Sequence, residues 1–192
     1  MDIASRIRAH FAESAELKLA AAEAMAPQIV RAAALMTECL LADGKLLACG
    51  NGGSAADAQH LAAEFVGRFV RERAGLPAIA LTTDSSILTA VGNDYGFEQI
   101  FARQIQALAR PGDVAVAIST SGNSPNVLEG VKAARKAKAK TIGLSGKDGG
   151  VLAEEVDIAI TIVSKSTARI QECHIAVGHL LCELAEEGLC EG

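Results

Sequence analysis

Lys45-Leu46-Leu47-Ala48-Cys49-Gly50-Asn51-Gly52-Gly53-Ser54 runs straight into Ala55-Ala56-Asp57-Ala58-Gln59-His60-Leu61-Ala62-Ala63-Glu64. The first part, entered after Asp43-Gly44, is short and apolar and reads as a buried strand. The glycines beyond it can take positive φ and let a ligand approach bare backbone. Ser54 is placed to N-cap a helix over Ala55 to Phe69, a stretch with no proline and one glycine, Gly67. Strand, glycine turn and helix N-terminus are how α/β proteins build an anion or sugar site at the carboxyl end of a strand. His60 and Glu64, one helical turn apart, project side by side. Their spacing alone leaves two readings, a surface hydrogen-bonded pair or part of a site. The loop is neither a phosphate loop ending in Gly-Lys-Ser/Thr nor a dinucleotide fingerprint.

Upstream, residues 2–26 read as one helix with Ile3, Ile7, Phe11, Ala15, Leu19 and Ala22 at helical spacing, and Pro27 opens a second helix to about Leu41. This pair over residues 1–43 covers the sheet or forms an oligomer interface; both readings stay open. Downstream, strands are expected at Pro77–Leu81, Asp113–Ile118, Thr141–Leu144 and Ile158–Val163. Helices are expected at Ile87–Val91, Phe97–Ala109, from Ser124 to about Lys138, and from Thr167 to about Glu187. Strands and helices in alternation predict an α/β fold with a doubly wound, five-stranded parallel sheet. The chain is read as a single domain over 1–192, with 44–192 as the sheet core.

Composition narrows the class. Half of the 192 residues are hydrophobic, but aromatics are 3% and tryptophan is absent, so the core is aliphatic, as suits helices on a parallel sheet. A net charge of −5 speaks against an electrostatic nucleic-acid surface. Five cysteines (Cys39, Cys49, Cys173, Cys182, Cys190) form no CxxC pair and suit a reducing, cytoplasmic setting. No signal-peptide core and no uncharged run of membrane-spanning length is expected.

Two further stretches carry chemistry. Ser119-Thr120-Ser121-Gly122-Asn123-Ser124-Pro125 sets four hydroxyls around a glycine between a strand and a helix, with Ser124 placed as N-cap and Pro125 at the first helical position. Hydroxyls, loop amides and a helix dipole can hold a phosphate without lysine; the alternative is a solvated cap, and the density of hydroxyls favours phosphate. In the last helix Gln171 and His179 lie roughly 80° apart in projection, so that one ligand could meet both. His174 points elsewhere and reads as a hydrogen-bonded core residue.

Taken together, Cys49-Gly-Asn-Gly-Gly-Ser54, Asp57-Ala-Gln-His60 with Glu64, Val91-Gly-Asn-Asp94, Ile118-Ser-Thr-Ser-Gly-Asn-Ser124 and Arg169-Ile-Gln-Glu-Cys-His174 resemble the phosphoheptose isomerases of the sugar isomerase (SIS) fold, over nearly the whole chain. The resemblance implies a flavodoxin-like strand order and interconversion of sedoheptulose 7-phosphate with D-glycero-D-manno-heptose 7-phosphate, the first step toward ADP-heptose and the lipopolysaccharide core. It implies substrate contacts from Asn51, Gly52, Gly53, Ser54, Glu64, Asn93, Asp94 and Gln171, and phosphate contacts from Ser119, Thr120, Ser121 and Ser124. It also implies one Zn²⁺ per subunit on His60, Glu64, Gln171 and His179, an acid–base pair in Glu64 and His179, and a homotetramer with sites at subunit interfaces. No nucleic-acid or membrane partner follows from it.

A non-catalytic tetramer of the same family binds the replication initiator DnaA but lacks the glutamate and second histidine; their presence as Glu64 and His179 favours the enzyme. An isomerase of a shorter sugar phosphate is the other alternative. Two histidines and a carboxylate are ordinary zinc donors, whereas a glutamine amide is a poor one. A glutamate bound to zinc is also a weak base, so the metal and proton-transfer roles of Glu64 pull against each other.

Overall fold

A computed structural model describes residues 2–190. Five strands, β1 (Leu46–Gly50), β2 (Ala78–Ala80), β3 (Val114–Ser119), β4 (Lys140–Gly146) and β5 (Ile158–Ile162), form one sheet in the order β2-β1-β3-β4-β5. All neighbours are parallel, with Gly50 opposite Ile118 and Ser119 opposite Ser145. This is the expected flavodoxin-like order. The chain moves outward one way from β1 to β2 and the other way through β3, so β1 and β3 flank the switch point, where α/β sheets place their ligands.

Alternation along the strands sorts two cores. Leu46, Ala48, Val114, Val116, Ile118, Ile142, Leu144, Ile158 and Ile160 face the helices α1 (Ile3–Leu41), α2 (Gly53–Val66) and α7 (Thr167–Cys190). Leu47, Cys49, Ala115 and Ala117 face α4 (Ile100–Leu108), α5 (Pro125–Lys136) and α6 (Gly150–Glu155). With helices on both faces, β1 and β3 are buried along their whole length and need no polar face. Each fully buried side chain such as Ile142 or Phe65 contributes about 1.5–3 kcal/mol relative to exposure. Most important for the site, α2 and α7 are neighbours on the same face.

Several boundaries differ from expectation. Pro27 starts no second helix: α1 is continuous over 39 residues, about 58 Å of rise. Proline removes one intrahelical bond, but Pro27 is exposed, so the carbonyl it frees can be hydrated. Met25 and Ile29, on either side, both pack on the core and hold the helix through. Asp2 caps its start, accepting from the Ser5 amide at 3.0 Å. By length and composition alone α1 is apolar enough to cross a membrane, a test that core helices also pass, and a third of its most apolar window is buried within the fold.

Helix α3 (Ser85–Tyr95) starts two residues before Ile87, because Asp84 caps it by accepting from the Ile87 amide at 2.8 Å, and it runs four past Val91. Phe97–Gln99 form a 3₁₀ turn ahead of α4. Helix α6 was not legible: six residues starting at two positive-φ glycines carry too short a periodic pattern.

Candidate active site

The glycine turn does its work one step earlier than the sequence suggests. Gly52, at φ +57°, is itself the N-cap of α2, and no side chain caps the helix. Ser54 is therefore not the cap; it lies inside the first turn, buried, with its amide bonded to the Asn51 carbonyl at 3.0 Å. The N-terminal dipole of α2 is left facing the turn, as an anion or sugar hydroxyl would require.

From that start, His60 and Glu64 come onto the side of α2 that meets α7. His60 Nε2 lies 2.9 Å from Glu64 Oε1 and 3.4 Å from His179 Nε2. A carboxylate only accepts, so His60 carries its proton on Nε2 and donates to Glu64. The His60 and His179 rings meet edge-on at 5.0 Å, and Phe69 stacks on His179 at 5.7 Å. Two imidazole nitrogens and a carboxylate oxygen all lie within 4.8 Å of one another. Zinc–ligand bonds of about 2.0–2.2 Å in a tetrahedral site require donor separations of this size, so the three fit that ion in chemistry and spacing.

A crevice of about 10 Å³ behind the triad runs between α2 and α7 over a floor of Ile118 and Leu144. That is room for one water or one ion, not for a sugar. Two polar atoms on its walls have no partner among the described residues, Asp57 Oδ2 and His174 Nδ1. His174 donates from Nε2 to the Ser145 carbonyl at 2.9 Å, as a core histidine should, and burial holds its pKa below the usual range. Burial also raises the Asp57 carboxyl, against the opposing pull of His60.

Gln171 packs on the glycine turn. Its amide packs so closely on Gly53 that a Cβ there would overlap Gln171 Nε2 and Cδ, and it does not line the crevice. About 12 Å of rise along α7 separates Gln171 from His179. The amide therefore guards the glycine turn while the imidazole serves the triad.

At the end of β3 the hydroxyls converge. Ser119 Oγ is 3.0 Å from Ser124 Oγ and 3.4 Å from Ser121 Oγ. Ser124 is the N-cap of α5 with Pro125 behind it, as expected, but its hydroxyl makes no capping bond; it turns to Ser119 instead. Two hydroxyls thus meet that of Ser119 before a helix start that no N-cap side chain closes. Gly122, at φ +66°, closes the loop and donates its amide to the Ser119 carbonyl at 3.0 Å. Thr120 is half-buried beside them.

Asn93 and Asp94 sit exposed near the end of α3, where Asn93 Nδ2 donates to Asp94 Oδ1 at 2.8 Å. Asn51 is engaged by a residue the sequence did not flag: Asn51 and the buried Asn126 exchange amide hydrogen bonds, both 2.8 Å. The Asn-Gly and Asn-Ser pairs drew attention as loop residues, while Asn126, one position into a helix, carried no such signal. A cavity of about 190 Å³ opens beside Asn51 and Gly52, bounded by Thr82, Leu88 and Phe97.

A parallel sheet with a glycine turn and a hydroxyl loop side by side at its switch point defines a protein of the SIS type, and the SIS domain family model matches residues 9–146. The phosphoheptose isomerase of Aquifex aeolicus is 57% identical over 186 residues, covering 97% of each chain. That of Neisseria meningitidis serogroup A is 54% identical over 190 residues, 97% of this chain and 96% of the other. Among solved structures, phosphoheptose isomerase GmhA from Neisseria gonorrhoeae superposes with a TM-score of 0.91 at 50% identity, covering 97% of this chain and all of that one. A phosphoheptose isomerase from Francisella tularensis gives 0.93 at 42%, with the same coverage. The chain belongs to the phosphoheptose isomerase family of SIS-domain proteins.

Proposed function

We propose that this chain is an aldose–ketose isomerase that converts sedoheptulose 7-phosphate to D-glycero-D-manno-heptose 7-phosphate through an enediol(ate). The observation that carries the reading is the His60–Glu64–His179 cluster, a base and two imidazoles whose donor atoms lie within 4.8 Å of one another, in a chain whose Ser119, Ser121 and Ser124 hydroxyls gather at the end of β3. Ser119, Thr120, Ser121 and Ser124 hold the phosphate before the α5 N-terminus, with charge-assisted hydrogen bonds replacing those to water. Asn51, Gly52, Gly53 and Ser54, and Asn93 and Asp94, take the sugar hydroxyls.

The Glu64 carboxylate removes a proton from C1 of the ketose. The C–H electron pair becomes the C1–C2 double bond, and the carbonyl pair moves to O2, which takes a proton from His179. Return of a proton from Glu64 to C2, with loss of the O1 proton to His179, leaves the aldehyde at C1. General acid–base transfer of this kind contributes about 10²–10⁴-fold in rate, and the anchored phosphate fixes the reacting carbons against the pair. His60, Glu64 and His179 would hold a Zn²⁺ ion, with Gln171 as the fourth ligand that the resemblance implies. Bound there, zinc would supply a Lewis acid for the carbonyl oxygen.

The same reading makes the protein a cytoplasmic homotetramer. Ile3, Ile7, Phe11 and Leu19 are 54–75% exposed and lie along one stripe of α1, a face suited to a second copy. Four buried unpaired cysteines accord with a reducing compartment. The product would feed heptose supply for lipopolysaccharide. The test is purified protein with a panel of ketose phosphates of five to seven carbons, with and without a chelator. Turnover of the seven-carbon substrate above the others supports the assignment; turnover of none overturns it.

A further inference from the structure

Between α2 and β2 the chain runs for eleven residues, 67–77, without regular structure, yet one buried carboxylate ties it down. Glu186 of α7 is 1% exposed. Its Oε2 accepts from the amides of Val70 at 3.0 Å and Arg71 at 2.8 Å, and its Oε1 from the Phe69 amide at 3.3 Å and Arg73 Nε at 2.9 Å. The rest of the Arg73 guanidinium faces the end of α2. Nη2 donates to the Glu64 carbonyl at 2.9 Å, and Nη1 to the carbonyls of Phe65 at 2.8 Å, Ala74 at 3.0 Å and Gly67 at 3.3 Å. One ion pair therefore grips the loop from α7 and the helix end that carries Glu64.

The grip has a consequence at the triad. His179 and Glu186 are two helical turns apart on the same side of α7, so a loop fixed at Glu186 lies over His179. Phe69 is the residue delivered there, its ring 5.7 Å from the imidazole and tilted 30°. Histidines that bind metal or move protons are usually oriented through their second nitrogen by a carboxylate or carbonyl. Among the described residues His179 makes no such bond; its one hydrogen-bond contact is His60. The stacked Phe69 ring is the contact left to orient that imidazole.

We propose that Arg73 and Glu186 are positioning residues, and that their ion pair holds Phe69 against His179 and fixes the backbone of Glu64, so that the three donors stand preformed. Neither touches the reacting atoms. The inference rests on the site reading above, but its test is separable from it.

The experiment uses full-length protein and four variants, Glu186→Gln, Arg73→Lys, Phe69→Leu and Phe69→Tyr, each checked for folding by circular dichroism. Cobalt(II) serves as the metal probe through its d–d absorption. Folded Glu186→Gln, Arg73→Lys and Phe69→Leu are expected to lose about 10–100-fold in cobalt affinity and to change the spectrum. Phe69→Tyr, which keeps a ring, is expected to recover most of the affinity. Wild-type affinity and spectrum in Phe69→Leu, with the protein folded, overturn the proposal and leave the ion pair a purely structural clasp.

Should Glu186→Gln and Arg73→Lys fail to fold, the Leu and Tyr pair decides alone. Should the wild type bind no cobalt and turn over no ketose phosphate, the site reading fails, and NMR of the metal-free protein decides the positioning claim. A Phe69–His179 ring cross-peak present in wild type and lost in folded Glu186→Gln or Arg73→Lys supports it; a cross-peak missing from wild type or retained in the variants overturns it. If no ion-pair variant folds, the decision falls on the His179 ring shifts. A change from wild type in Phe69→Leu but not in Phe69→Tyr supports the claim, and shifts left unmoved in Phe69→Leu overturn it.

Discussion

Asn51 and Asn126, seventy-five residues apart, exchange two amide hydrogen bonds of 2.8 Å, and that exchange locks the glycine turn after β1 to the helix behind the hydroxyl loop after β3. Asn126 Oδ1 also accepts from its neighbouring Val127 amide at 3.0 Å, so the pair sets the start of α5 as well. Asn126→Ala strips both bonds and leaves the Asn51 amide unpaired, a cost of about 1–3 kcal/mol. Expected are a lower Tm and a raised KM for the sugar phosphate, with kcat less affected, since the residue orients the two loops and not the proton donors. Calorimetry and steady-state kinetics check both.

Glu64→Gln keeps the shape and one acceptor oxygen for His60 but removes the base. Turnover is expected to fall by at least about 10²-fold, while titration calorimetry still detects sugar-phosphate binding through the hydroxyl loop. His179→Gln is expected to behave alike. Undiminished turnover in both variants would remove the acid–base assignment.

Ser124→Ala removes the hydroxyl that meets Ser119 without removing a capping bond, because the Ser124 side chain makes none. Its effect should therefore fall on ligand binding and not on folding. A several-fold rise in KM and an equal weakening of inhibition by inorganic phosphate are expected, at a wild-type Tm.

Gly122→Ala places a Cβ at φ +66° and into the Gly149 carbonyl, where neither backbone can yield. The left-handed conformation alone costs about 1–2 kcal/mol. Thermal melts are expected to show marked destabilisation, larger than for Asn126→Ala.

The Glu186 carboxyl gives a pH signature. Burial on its own would raise its pKa, but the amides of Arg71, Val70 and Phe69 and the Arg73 guanidinium outweigh burial and hold it below the ordinary glutamate range. A lowered carboxylate pKa stabilises the fold above the unfolded-state value, about 4.3, and this contribution fades as pH falls through the folded-state value. The Tm difference between wild type and Glu186→Gln is therefore expected to be full at pH 6–7 and to narrow below about pH 4.

Local pattern was enough for much of the protein. Apolar runs bounded by glycine and proline marked five strands, because a strand buried on both faces needs no polar positions. The hydroxyl cluster and the one-turn pairing of His60 with Glu64 could be read from chain spacing, since both lie within a single loop or helix. Tertiary packing decided the rest. Pro27 lies within one helix because both flanks bury on the same core, which overrides a local cost. His179 meets His60 because α2 and α7 share a face of the sheet, and the same packing sets Gln171 against Gly53. Asn126, Arg73 and Glu186 act through partners 75, 8 and 115 positions distant, as with Asn51, Phe65 and Arg71. No local periodicity encodes such distances; only the closed fold, which forces buried polar groups to find one another, fixes those pairs.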